Sequence, residues 1–266
     1  MTEPIRVLHV DDEPDFAEMA SEFLQRQDKQ IRVKPARTAS DALELLAENE
    51  IDCIVSDFDM PGQNGIEFLE TVREDYPTLP FILYTGKGSE EVASDAISAG
   101  VTEYIQKESG TSHYEVLVNR ITNAVEQYRT QHELEDREER LNLFFEQSPV
   151  GVIRWDDEFN FARVNDSARD ILGYDDGELA GEPWDIVVPE ENREEIGEIV
   201  VADLLENKGG YHSINENVRK DGERIVCEWH NWVITDDNDT VVAVFSQFQN
   251  ITDRKQRERE LNELAQ

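Results

Sequence analysis

Five side chains in the first half of the chain stand out by type and place: Asp11, Asp12, Asp57, Thr85 and Lys107. They sit at the ends of short apolar runs: VLHV before Asp11, CIVS before Asp57, FILY before Thr85 and YIQ before Lys107. Three carboxylates, a hydroxyl and an ammonium gathered in one place make a charged, oxygen-rich site. The carboxylates there repel one another and need compensating positive charge. An Asp pair alone carries no information here. The chain has four of them, Asp11-Asp12, Asp156-Asp157, Asp175-Asp176 and Asp236-Asp237, and in so acidic a sequence they arise by chance. The combination is the signal, and Lys107 sharpens it, because only seven of the 266 residues are Lys.

The elements that must bring these groups together alternate in kind. Ile5–Val10 reads as a strand, and Pro14 opens a helix to about residue 27 that buries Phe16, Met19, Ala20 and Phe23. A second strand covers 31–36, and Ser40 caps a helix through Leu43, Leu46 and Ala47. Strands follow at 51–57, 81–85 and 103–106. Helices are expected at 65–74, at 89–99 with Gly100 as the stop, and from about His113. Five β-α units in alternation predict a doubly wound, parallel α/β sheet. Such a sheet places its site at the carboxyl ends of the strands, where the five side chains converge.

With VLHVDDEP, IVSDFDMPGQNG, ILYTGKGS and YIQKES in place, residues 5 to about 128 resemble the flavodoxin-like receiver domain of two-component response regulators. The resemblance implies that Asp57 is the phosphoacceptor. It implies that Asp11, Asp12 and Asp57, with the backbone carbonyl of Asp59, hold Mg²⁺. Thr85 and Lys107 would contact the phosphoryl oxygens, and Tyr104 matches the aromatic that swings inward with Thr85 on activation. Pro61, Gly62 and Gly65 match the loop after the acceptor. Gly86 stands where the family more often has Ala. Asp59 and Lys87 lie two residues beyond acceptor and Thr, at positions that tune phosphoryl lifetime. The physics is compatible: a hard dication with oxygen ligands offsets clustered carboxylates, and phosphoryl transfer is mostly positioning and charge stabilisation.

From about 125 to 145 the sequence EQYRTQHELEDREERLNLFFEQ stays helical and highly charged, with Leu134, Leu141 and Phe145 as a thin apolar stripe. It serves either as a solvated linker or as a two-stranded coiled coil. Ser148-Pro149 ends it. Beyond lie strands at 151–155 and 159–164 around an Asp156-Asp157 turn, and helices near 166–172 and 192–206. Long strands at 211–219 and 223–234 join at Lys220-Asp221-Gly222, and a further strand covers 241–250. This predicts an α+β domain with an antiparallel sheet. Through LFFEQSPVGVIRWD, VNDSARDILGYDDGELAGEPWDIVVPE, RKDGERIVCEW and FQNITDRKQRE it resembles a PAS domain. The family's usual Asp-Ile-Thr close is here Asn250-Ile251-Thr252. The expected layout is a receiver at 1–126, a helical linker at 127–140, a PAS sensor and dimerisation domain at 141–253, and the start of a charged helix at 254–266.

Neither haem nor flavin is expected in the PAS domain. Cys227 lies in a strand rather than in a flavin-adduct helix motif, and 192–206 contains no His. His212 and His230 read as surface or pocket residues, and Trp155, Trp184, Trp229 and Trp232 as core and interface. An apolar pocket, or no ligand, is expected. His132-Glu133-Leu134 is similar to the start of a kinase phosphoacceptor box but lacks the Arg-Thr-Pro that should follow, so His132 reads as an exposed linker residue. The sequence has no glycine-rich ATP lid, so the chain reads as a phosphoacceptor rather than an enzyme.

Sixty acids against 25 bases give a net charge of −35, spread along the whole chain. Such a surface repels nucleic acid and anionic membranes and resembles acidic, lysine-poor proteins of high-salt cytoplasm, a haloarchaeal type. The N-terminus has no signal-peptide pattern, no segment is apolar enough to span a membrane, and Cys53 and Cys227 read as buried reduced thiols. The expectation is a cytoplasmic phosphorelay protein, a homodimer through PAS and helices, with a sensor histidine kinase as phosphodonor. The alternative is the sensory front of a longer hybrid histidine kinase.

Overall fold

The computed structural model describes residues 3–86, 90–107, 112–197, 204 and 211–264. The chain divides into two units, Met1–Asp136 and Arg137–Gln266.

In the first unit, β1 (Ile5–Val10), β2 (Ile31–Ala36), β3 (Cys53–Ser56), β4 (Phe81–Thr85) and β5 (Glu103–Gln106) form a parallel sheet in the order β2-β1-β3-β4-β5. Strands β3 and β4 are buried along their whole length, as expected of a sheet covered on both faces. The helices are α1 (Pro14–Gln27), α2 (Ala39–Glu48), α3 (Gly65–Asp75), α4 (Glu90–Ser98) and α5 (Ser112–Glu146). One core layer gathers Leu8, Ile54, Phe68 and Leu83, the other Val7, Val55, Ile82, Tyr84 and Leu117.

Three expectations shift. The buried face of α1 is Ala17, Ala20 and Leu24, while Met19 is exposed. Ala20 is buried as expected, Phe16 packs half-buried against the core and Phe23 stacks on Tyr114, so Met19 alone of the expected set lies off the buried face. The cap of α2 is Thr38, whose Oγ1 accepts the Asp41 N–H at 3.1 Å, and Ser40 lies inside the helix. Strand β3 begins at Cys53 rather than 51, because the preceding Asp52 is held by Arg6. Lys87, Ser89 and the Glu108-Ser109 pair after Lys107 lie outside the described residues.

In the second unit, β6 (Gly151–Trp155), β7 (Phe161–Val164), β8 (Tyr211–Val218), β9 (Arg224–Thr235) and β10 (Val241–Asn250) form an antiparallel sheet in the order β7-β6-β10-β9-β8. Helices α6 (Asp166–Leu172) and α7 (Arg193–Ile196) and 3-10 turns at Trp184–Val187 and Glu190–Asn192 lie between β7 and β8; α8 (Thr252–Leu264) follows β10. Strand β7 starts at Phe161, not 159. Phe159 has φ +61° in the turn closed by Asp156, whose Oδ1 accepts the N–H groups of Glu158 and Asn160. Of the helix expected over 192–206, Arg193–Ile196 is helical, and 198–203 and 205–206 lie outside the described residues. Cys53 and Cys227 are buried and unpaired, and burial pushes both thiols up in pKa, Cys227 to about 12. No helix among the described residues is long and apolar enough to cross a membrane.

Candidate functional site

The carboxyl end of the parallel sheet gathers Asp11, Asp12, Asp57, Thr85 and Lys107 because the strand ends are locked to one another. The Asp11 N–H donates to Ala36 O at 3.1 Å, Asp57 N–H to Val10 O at 2.8 Å and Lys107 N–H to Thr85 O at 2.8 Å. Carboxylate oxygens of Asp11, Asp12 and Asp57 all lie within 4.8 Å of one another. Lys107 Nζ stands 2.8 Å from Asp11 Oδ2 and 3.2 Å from Asp57 Oδ1, and its ammonium lies over the Phe16 ring at 4.2 Å. Asp11 is buried and doubly held, since its Oδ1 also accepts the Glu13 N–H at 3.0 Å. Asp12 is more open.

Burial pushes the Asp57 carboxyl above the usual carboxylate range; Lys107 opposes that rise and Asp11 adds to it. His9, buried beneath the rim, is lowered to about 4 by burial, with Lys107 assisting and Asp11 opposing, so it brings no positive charge at neutral pH. The donor set is all oxygen and carries two more negative than positive charges: three carboxylates against Lys107. That composition fits a hard divalent cation, which takes one or two carboxylates and keeps several waters.

The loop after Asp57 depends on a missing side chain. A Cβ on Gly65 would sit 2.3 Å from the Asp57 carbonyl oxygen and 2.7 Å from Leu83 Cδ1. Asn64 caps α3 at this point, with its Oδ1 accepting the N–H groups of Ile66 and Glu67 while Glu67 Oε2 accepts the Asn64 N–H. Asp59 is exposed on the same loop. A Cβ on Gly86 would meet nothing within 4 Å. Thr85 is buried. Tyr104 packs into the core, its hydroxyl buried without a hydrogen-bond partner among the described residues.

Sequence reasoning missed a second ionic group on this unit. Asp52, buried at the start of β3, accepts the Arg6 N–H at 2.8 Å and Arg6 Nε at 2.8 Å, and Arg129 of α5 reaches it at 3.0 Å. His132 is not simply an exposed linker residue. Its Nε2 stands 3.2 Å from Thr78 Oγ1, and its ring meets Tyr128 edge-on.

Two family models match the chain. The response regulator receiver domain covers residues 7–122 and the PAS fold residues 145–256. The chain carries a receiver domain followed by a PAS fold. Among curated relatives, the response regulator protein PilR of Pseudomonas aeruginosa is 30% identical over 102 residues, 38% of this chain and 22% of that protein. The sensor histidine kinase TmoS of Ectopseudomonas mendocina is 24% identical over 293 residues, 98% of this chain and 30% of that protein. The chain thus spans less than a third of either relative's length. Among solved structures, a response regulator receiver domain protein from Clostridium thermocellum is 25% identical, covers 48% of this chain and 98% of its own, and has a TM-score of 0.43.

The PAS fold holds a pocket of about 60 Å³ among the described residues, with Trp155, Trp184 and Trp229 in its lining. The lining is predominantly apolar, as expected, with Asn215, Asn217, Asn231 and Ser246 set among the apolar side chains. Strand alternation turns Asn215 and Asn217 to the same face, opposite β9. The polar groups are engaged. Trp229 Nε1 donates to Asn217 Oδ1 at 2.9 Å, Trp155 Nε1 to Ser246 Oγ at 2.7 Å, and Ser246 Oγ to Asn231 Oδ1. Trp232, by contrast, is exposed.

The exit of the PAS fold keeps a working cap despite its Asn. Asn250 Oδ1 accepts both the Thr252 N–H at 3.0 Å and the Thr252 hydroxyl at 2.6 Å, and Thr252 Oγ1 accepts the Val226 N–H at 2.9 Å. Phe145 is tied to the PAS fold as well: Asn165 Nδ2 donates to its carbonyl at 3.0 Å and Arg163 lies 4.3 Å from its ring centroid. The exposed large apolar side chains of α5 are Val116, Leu134, Leu141, Leu143 and Phe144.

Proposed function

We propose that this chain is a phosphorelay signalling protein in which Asp57 accepts a phosphoryl group from the phosphohistidine of a sensor histidine kinase. The observation that carries the reading is the approach of Asp11, Asp12 and Asp57 within 4.8 Å, with Lys107 spanning Asp11 and Asp57. In the step, an Asp57 carboxylate oxygen attacks phosphorus, a P–O bond forms, the donor's P–N bond breaks, and the departing imidazole nitrogen retains its electron pair. Asp11, Asp12, Asp57 and the Asp59 carbonyl would hold Mg²⁺, which supplies the positive charge that lets a phosphoryl group approach three carboxylates. Lys107 offers a compact charge to a phosphoryl oxygen, and Thr85 and Tyr104 form the response to the added charge. Incubation with a small-molecule phosphodonor and Mg²⁺ tests this: wild type takes up phosphate and Asp57→Asn takes up none, whereas equal labelling would remove Asp57 from the role.

The PAS fold and its helices form the dimerisation module in this reading. Leu134, Leu141 and Phe144 fall on α5 at seven- and three-residue spacing and are exposed, the pattern of a coiled-coil seam. Sedimentation of the whole chain at high salt gives a dimer, and Leu141→Glu a monomer; a wild-type monomer at high concentration would contradict it.

A second reading, the sensory front of a hybrid histidine kinase, is favoured by the likeness to TmoS across 98% of this chain. Reading the gene beyond Gln266 separates the two.

A further inference from the structure

The outer face of the PAS sheet carries a second group of metal-ligating side chains, remote in sequence from the carboxylate rim. Strands β8 and β9 pair with His212 opposite His230, and Ile214 opposite Glu228. Residues 228 and 230 share one face because strand side chains alternate, and His212 stands directly across from one and diagonally from the other. The two imidazole rings lie 4.6 Å apart between centroids, and donor atoms of His212, Glu228 and His230 all come within 4.8 Å of one another. The chain has only five His, and two of them meet here beside a carboxylate.

We infer that His212, Glu228 and His230 form a binding site for a borderline divalent cation, Zn²⁺ in the first instance. Two imidazoles and one carboxylate suit zinc, copper or nickel rather than Mg²⁺, which prefers oxygen alone. Zinc bonds of about 2.0–2.1 Å place tetrahedral ligands roughly 3.3 Å apart. The three exposed or half-exposed side chains close that gap by rotamer adjustment, without moving the strands. Three protein ligands leave a fourth position for water.

The site reaches the exit helix through Glu228. Its Oε1 stands 3.1 Å from His212 Nε2, and its Oε2 accepts from Arg254 Nη2 of α8 at 2.8 Å. A cation on Glu228 competes with Arg254, and its arrival weakens the one described ion pair between β9 and the first turn of α8.

Zinc titration of the full chain by calorimetry, with Mg²⁺ in excess to occupy the carboxylate rim, tests the site. Wild type and Asp57→Asn take up one zinc that the His212→Ala/His230→Ala double variant lacks. Either single His variant, or Glu228→Gln, weakens binding about tenfold or more. Arg254→Ala tightens it. All these positions are on the sheet or helix surface, and circular dichroism confirms that the variants are folded. Equal uptake by wild type and the double variant would overturn the site. An Arg254→Ala affinity equal to wild type would overturn the competition at Glu228.

Discussion

The Lys107 ammonium lies 2.8 Å from the buried Asp11 carboxylate, a contact between residues 96 positions apart. Asp11 is 1% exposed, and a buried charge that loses its partner is costly. Lys107→Met should therefore destabilise the receiver domain by about 3 kcal/mol in Mg²⁺-free urea melts. It should also slow phosphoryl uptake. Lys107→Arg should restore part of the stability but less of the uptake, because a planar guanidinium does not replace a compact ammonium. A Lys107→Met protein as stable as wild type would show that Asp11 does not depend on this ion pair.

Gly65→Ala places a methyl group against the Asp57 carbonyl and Leu83. Overpacking of this kind costs about 1–3 kcal/mol, and here the displaced atom is the backbone of Asp57. Thermal melts should show the loss, and phosphoryl uptake should fall with it. Gly86→Ala, where an added Cβ meets nothing within 4 Å, should leave both unchanged. The pair of glycine variants separates a steric role from a general intolerance of substitution near the rim.

Asp52 gives the pH dependence. Burial opposes its ionisation, but hydrogen bonds from Arg6 and from Arg129 outweigh it and hold the carboxyl below the usual range. A depressed carboxyl stabilises the fold fully above its unfolded value, about 3.9, and loses that contribution as pH falls through the folded value. Asp52→Asn should cost about 3 kcal/mol near neutrality. The gap between wild type and variant in urea melts should stay constant down to about pH 5 and close below about pH 4. A gap that widened in acid would contradict the sign.

With a net charge of −35, the compact state repels itself. Screening lengths fall from about 30 Å at 0.01 M salt to about 3 Å at 1 M, so the melting temperature should rise steeply with KCl. Mg²⁺ should add stability at much lower concentration through the carboxylate rim. Asp57→Asn should lose much of the Mg²⁺ increment and keep the KCl effect. A melting temperature flat in KCl would remove the high-salt reading of the composition.

The strands of the parallel sheet were legible because buried apolar runs such as Ile5–Val10 and Phe81–Thr85 end where polar site residues begin. Asp11, Asp57 and Lys107 were legible for the same reason: residue type and strand end coincide. The Asp52 cluster was not, since its partners Arg6 and Arg129 lie 46 and 77 positions away and nothing in the sequence pairs them. On α1 and α5 the helices were read but single positions on them, Met19 and Phe145, were misjudged, because acids mixed into an apolar stripe blur its edge. The apolar lining of the PAS pocket was legible in its tryptophans, and the Asn215 and Asn217 that join it were signalled by their spacing within a strand.

The account rests on which atom receives the phosphoryl group. Treatment of the wild-type chain with a phosphodonor and Mg²⁺, reduction of the acyl phosphate with borohydride and peptide mapping by mass spectrometry locate that atom directly. The account predicts a single modified residue, Asp57, with Asp12, Asp59 and His132 unmodified. A label on any of those three with Asp57 intact would contradict it.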